Sequence, residues 1–119
     1  VELNKKEIEP GIQLFELTGS IHTGPECKRL DQAVDEQVQH NQMRIIFDFT
    51  RVTHIDSSVI GLIVKSHSRL KKSGGELRLV VAGGMVEKVL KLTQINRVIT
   101  LYPTTTDAVT NFPPQKAAS

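Results

Sequence analysis

The spacing of hydrophobic residues changes several times along the chain, and each change marks a boundary. Leu3–Ile8 mixes polar and apolar positions, and Pro10-Gly11 punctuates a turn. Ile12, Leu14 and Leu17 follow with Phe15 as a second extended run that ends at Gly19. Two short runs separated by a turn predict an antiparallel strand pair. After Ser20–Pro25 the period lengthens. Cys27, Leu30, Val34 and Val38 recur at three- and four-residue steps, the pattern of one face of an amphipathic helix, with Pro25 at its first turn and Asn41 as its stop.

Arg44-Ile45-Ile46-Phe47-Asp48-Phe49 is nearly continuous in strand-forming types and reads as a central strand covered on both faces. A loop over Thr50–Asp56 is expected next, then a second helix from Ser57 whose buried face carries Ile60, Ile63, Val64, His67 and Leu70. Lys71-Lys72 followed by Gly74-Gly75 is a helix-ending signal. Leu77–Ala82 predicts another buried strand. Val86, Val89 and Leu90 predict a short helix, and Val98–Leu101 a short last strand. Thr104-Thr105-Thr106-Asp107 is suited to cap a final helix that runs through Phe112 to the break at Pro113-Pro114.

The predicted order is β-β-α-β-α-β-α-β-α. It implies a single α/β domain over residues 1–112, a four- to five-stranded mixed sheet packed by about four helices, with 113–119 as a flexible tail. Parallel strands with right-handed crossovers carry the loops that follow the strands to one common edge. The Gly19–Pro25 loop, with Ile21, His22 and Thr23, should therefore meet the segment ending at Ser58.

Composition narrows the function. A chain of 119 residues suits one core, and its single cysteine, Cys27, rules out an internal disulfide framework, which fits a cytoplasmic location. Charge is nearly balanced at +2 and only five residues are aromatic, so neither a basic stripe nor a base-stacking platform for nucleic acid is expected. No apolar run approaches the ~20 residues of a membrane span. The amino terminus, Val1–Lys6, lacks the apolar stretch of a signal peptide.

The chemistry concentrates at Asp56-Ser57-Ser58. Capping of the second helix explains one such residue. Three in a row after Ile55 also suit a serine that accepts phosphate, because free N–H groups and the helix dipole stabilise a dianion at a helix amino terminus. Phosphorylation there adds about −1.5 to −2 charge beside Asp56 and alters a binding surface without unfolding anything.

The stretch Phe47–Leu62, with Asp56-Ser57-Ser58 at its centre, resembles the signature of STAS domains, the sulfate-transporter and anti-sigma-factor-antagonist domains. Leu17–Ile21, Leu77–Ala82 and Val86–Thr93 leading to Val98-Ile99 fall in the family's order, so the likeness covers roughly residues 1–112. It implies a stand-alone bacterial anti-sigma-factor antagonist that is a monomer or weak dimer. The unphosphorylated form would bind an anti-sigma serine kinase, which would phosphorylate Ser58, with Ser57 as second choice. Phosphorylation would release the antagonist, and a protein phosphatase would reset it. The alternative is a STAS scaffold or accessory subunit of a stressosome-like or transporter complex without regulatory phosphorylation. The family often has Gly directly after the serines where this chain has Val59, and often an acidic residue where it has His22; both are expected at the binding edge.

The expected partner surface comprises Ile21, His22, Thr23, Asp56, Ser57, Ser58, Val59 and Ile60, with Lys65 and Arg69 farther along the helix. Lys65, Arg69 and Lys72 form an i, i+4, i+7 row that suits either a solvated face or an acidic partner. His22 and His54 supply too few ligands for a metal site, while His67 and His40 are assigned to structure. No nucleotide loop or hydrolase elbow occurs, and no base can be placed beside either serine. No cofactor, metal or enzymatic activity is expected.

Overall fold

In the computed structural model, which describes residues 2–21 and 25–113, the chain opens with a hairpin of β1 (Glu2–Glu9) and β2 (Ile12–Ile21). Gly11 makes the turn at φ +84°, where only glycine is unstrained, and its N–H donates to Glu7 Oε2 at 2.8 Å. Helix α1 (Pro25–Gln39), β3 (Arg44–Ile55), α2 (Ser57–Lys72), β4 (Glu76–Val80) and α3 (Gly84–Leu92) follow in alternation. A 3₁₀ turn (Ile95–Arg97), β5 (Leu101–Tyr102) and α4 (Thr105–Ala108) end the described chain. The strands lie in the order β1-β2-β3-β4-β5, with β1 antiparallel to β2 and every other neighbour parallel. This is the mixed five-stranded sheet and four-helix arrangement expected from the pattern. Apart from Pro113, the expected tail lies outside the described residues.

Alternation along the strands builds two cores. Phe15, Leu17, Ile45, Phe47, Phe49, Leu77 and Leu79 meet Leu30 and Val34 of α1, Val59, Leu62, Ile63 and Leu70 of α2, and Val86 and Leu90 of α3. The Phe15 and Phe47 rings stack there with centroids 5.7 Å apart. On the opposite face Ile12, Leu14, Ile46 and Val80 are covered by Ala108 of α4 and by Phe112.

Several boundaries depart from the sequence reading. The expected loop over Thr50–Asp56 is strand as far as Ile55. It is paired Thr18↔Arg51, Gly19↔Val52, Ser20↔His54 and Ile21↔Ile55, with register shifts that accommodate extra residues on β3. Its polar residues read as loop because this half of β3 projects beyond β4, so Arg51, Thr53 and His54 remain exposed while Val52 still reaches the core. The buried face of α2 is Val59, Leu62, Ile63, Ser66 and Leu70; Val64 is 43% exposed and His67 only half-buried. The apolar run Val59–Val64 leaves the helical phase undetermined, and packing chooses the face that includes small Ser66. Strand β4 stops at Val80 rather than Ala82, although Val81 N–H still reaches Tyr102 O at 2.9 Å. Val98 is turned out because Val98 and Ile99 N–H both donate to Ile95 O, so a helical turn delays β5 to Leu101. Helix α4 ends at Ala108. Asn111 takes φ +55° just beyond it, and Thr104 Oγ1 provides the expected cap by accepting from Asp107 N–H at 3.1 Å.

Candidate functional site

Because β2, β3 and β4 are parallel, their carboxyl ends and the amino termini of α1, α2 and α3 share one edge of the sheet. The strand-end pairs Ser20↔His54 and Ile21↔Ile55 bring the ends of β2 and β3 together there, and Ser20 Oγ lies 3.2 Å from Thr53 Oγ1. His22 and Thr23 lie outside the described residues.

Asp56 leaves β3 in extended conformation (φ −111°, ψ −177°) and caps α2. Its Oδ1 accepts from Ser58 N–H at 3.0 Å and Val59 N–H at 3.2 Å. The carboxylate thus satisfies two of the donors that the helix start leaves unpaired and places negative charge at the positive end of the helix dipole. Ser57 is exposed and Ser58 half-buried, both in the first turn of a helix that carries no acidic side chain there. Ile60 is half-buried.

Val59 corrects an expectation. Its side chain is fully buried in the helix-side core, so it holds α2 on the sheet and presents nothing to a partner. The bare stretch of helix lies two residues later. Gly61 is exposed, and a Cβ added to it would meet nothing within 4 Å.

Lys65 and Arg69 turn toward α1 rather than outward from the edge. Lys65 Nζ bonds Asp31 Oδ2 at 3.2 Å, and Arg69 pairs with Asp35. Two of the three cations of the basic row therefore already have acidic partners, set four residues apart on α1 in step with Lys65 and Arg69 on α2. That step was visible in the sequence, but the sequence did not give the packing of α1 on α2.

The residues missed from sequence are in the third loop of this edge. Gly83 and Gly84 take φ +73° and +79°, a geometry glycine alone adopts freely, and both are exposed. Gly83 N–H donates to Glu87 Oε1 at 3.2 Å. That bond, followed by the one from Lys91, holds the Glu87 carboxyl below its ordinary pKa. The Gly-Gly pair opens α3 after β4, a strand that stops well short of the Asp56 turn.

Beside β1, β2 and β3 lies a hollow of about 130 Å³ lined by Asn4, Glu16, Leu17, Thr18, Asp48 and Arg51. Its carboxylates are engaged within the protein. Glu16 is held by Lys6 and Asn4, and Asp48 accepts from Thr50 N–H at 2.9 Å. Among the described residues no group of three His, Cys, Asp or Glu side chains is placed to hold a metal ion, and no helix is long and apolar enough to cross a membrane. At the edge, Ser57 and Ser58 stand in the first turn of α2 with Asp56 as its cap. Its chemistry is that of a capped helix amino terminus displaying two hydroxyls on a rigid frame.

Comparison with known proteins agrees with this geometry. The model of the STAS domain family matches residues 5–108. A Thermotoga maritima protein provisionally named an anti-sigma factor antagonist is 33% identical over 75 residues, 63% of this chain and 66% of that relative, just under two thirds of its length. A crystal structure of a Thermotoga maritima protein of that name aligns with TM-score 0.81 at 26% identity, over 89% of this chain and 90% of the other. The anti-sigma factor antagonist SpoIIAA aligns in its unphosphorylated form with TM-score 0.69 over 89% of this chain and 92% of its own. The phosphorylated form of SpoIIAA from Bacillus aligns with TM-score 0.73 over 91% and 96%. Both forms are 16% identical to this chain and show the fold alone. With sheet order, helix placement and a family match over most of its length in agreement, the chain belongs to the STAS domain family.

Proposed function

We propose that this protein is an anti-sigma factor antagonist that works by partner switching. Its unphosphorylated edge binds an anti-sigma serine kinase, phosphorylation of Ser58 releases it, and a phosphatase restores it. The observation that carries this reading is the Asp56 cap. One carboxylate oxygen fixes the backbone of both Ser58 and Val59, so the serine turn stands in a set geometry at the meeting point of β2 and β3. The antagonist names of the Thermotoga relatives support it. The burial of Val59 supports it further, since a kinase approaching the turn meets the hydroxyls and the bare Gly61 surface without the Val59 side chain between them.

On this reading the contact surface is Ile21 with the following loop, Asp56, Ser57, Ser58, Ile60 and Gly61. Lys65 and Arg69 border it through their pairs with α1. The protein acts in the cytoplasm by binding and performs no catalysis itself. Intact-mass analysis after incubation with the cognate kinase and ATP should show one added phosphate, mapped by peptide sequencing to Ser58. Ser58→Ala should abolish the addition and Ser57→Ala preserve it. Ser58→Asp should weaken kinase binding at least tenfold in a titration. Phosphate on another residue, or unchanged affinity for Ser58→Asp, would sink the proposal.

A further inference from the structure

Among the described residues four large apolar side chains are exposed, and three of them fall within fourteen residues: Met85 at 54%, Leu92 at 73% and Val98 at 59%. Met85 and Leu92, with half-buried Val89, stand at i, i+7 and i+4 on α3, on the flank next to the buried pair Val86 and Leu90 that docks the helix on the sheet. Val98 is turned outward by the 3₁₀ turn that follows. The same fourteen residues hold three exposed cations, Lys88, Lys91 and Arg97. They hold one acid, Glu87, which already accepts from Gly83 N–H and from Lys91. An apolar strip with cations alongside it therefore runs along one exposed flank of α3.

We infer that this α3 face is a second protein-binding surface, fitted to an acidic amphipathic segment of a partner protein. Met85, Val89 and Leu92 share one stripe of α3, and contiguous exposed apolar side chains mark interaction sites. Charge selects the occupant. A second copy of this chain docked face to face would set Lys88, Lys91 and Arg97 against themselves, and like charges across an interface oppose association. An anionic membrane is favoured by clusters of about four to eight Lys or Arg, and this region has two on the nine-residue α3 and a third, Arg97, in the 3₁₀ turn. A helix with leucines along one side and glutamates flanking them places apolar groups on Met85 and Leu92 and carboxylates on the cations. Because the surface includes none of the residues of the serine turn, the protein can hold this partner in either phosphorylation state.

The test titrates the full chain, labelled with nitrogen-15, with a fourteen-residue peptide carrying leucine at i, i+3, i+4 and i+7 and glutamate between. The comparison probes are the same residues in scrambled order and phosphatidylglycerol vesicles. Saturable amide shifts confined to residues 85–98 are expected, weakening at least fivefold for the scrambled peptide, for Leu92→Ser and for Lys88→Glu. Val64→Ser, a surface change on α2, should leave binding unchanged. No saturable shift in 85–98, equal response to the scrambled peptide, or tighter binding to vesicles than to the ordered peptide would overturn the inference.

Discussion

Replacing Arg78 with methionine should release the carboxyl-terminal strap while leaving the sheet intact. Arg78 lies on β4 at 6% exposure, on the face that lacks the long helices. Its guanidinium donates to Glu76 Oε2 at 2.6 Å, Ala108 O at 2.9 Å, Thr110 O at 2.8 Å and Asn111 O at 3.2 Å. The Phe112 ring lies 4.1 Å from it and the Tyr102 ring 5.3 Å. One rigid fork thus holds three carbonyls of the strap, an arrangement for which the fixed donor geometry of arginine is suited. Methionine keeps the stem and some ring packing but leaves those carbonyls without donors, at about 1 kcal/mol each while they stay buried. Removing a buried cation returns part of its desolvation cost, so the net loss should be about 2–3 kcal/mol. That corresponds to roughly 30- to 150-fold in a local opening equilibrium. Hydrogen exchange at the amides of Ala108, Val109 and Thr110, which bond to Thr104, Thr105 and Asp107 carbonyls, should accelerate by that factor. Amides of α2 should be unaffected, and Arg78→Lys should fall between, since one ammonium cannot span three carbonyls. Unchanged exchange at 108–110, with urea stability within about 0.5 kcal/mol of the parent, would refute the clamp.

Two glycines should respond in opposite ways to alanine. Gly61→Ala fills open space within α2 and should raise urea stability by about 0.5–1 kcal/mol while weakening kinase binding, because the bare surface is lost. Gly75→Ala would put a Cβ 2.2 Å from Met43 O, and a shift of β3 or β4 should cost about 1–3 kcal/mol in the same assay. His67 makes stability depend on pH. Burial first and then Lys71 hold its pKa below the ordinary 6.5, against the opposing Glu76 carboxylate. The unfolded chain therefore takes up this proton near pH 6.5 while the folded chain still resists it. Stability is full above that pH and declines as pH falls toward the folded value. Urea midpoints at pH 7.5 and 5.5 should separate less in His67→Gln than in the parent; an equal separation would place the dependence elsewhere.

Element types were legible where hydrophobic period and punctuation agreed. The steps Leu30, Val34, Val38 and the run Ile45–Phe49 each allow one reading, and the Thr104 cluster caps α4 as its residue types require. The failures share a physical cause: each depends on what covers a segment, which a window of sequence does not contain. Arg51, Thr53 and His54 look like loop because β3 outruns β4 there. The phase of α2 is hidden because Val59–Val64 is apolar all round, and Val98 seems a strand residue until Ile95 captures its N–H. At the site, Asp56 as cap was readable from spacing. The inward turn of Val59 and the pairing of Lys65 and Arg69 with α1 were not, because both follow from the docking of α1 and α2.

The cap also determines what kind of signal the turn can send. A phosphate on Ser58 would place roughly two negative charges beside a carboxylate that already accepts from Ser58 and Val59 N–H. Two anions then share the donors of one helix start, so what the phosphate gains from the helix dipole is offset by repulsion from Asp56 and by weakening of a cap worth about 1 kcal/mol. Neither effect reaches the core, because Val59 and Ile63 anchor α2 from its other side. The fold should therefore change little in stability on phosphorylation, whereas the exposed edge changes charge abruptly. A partner that meets Gly61 and the serine hydroxyls at close range must bury that charge or leave. Release by surface electrostatics on an unaltered scaffold is the switch this arrangement favours, and it predicts nearly equal melting temperatures for the two forms alongside very different affinities.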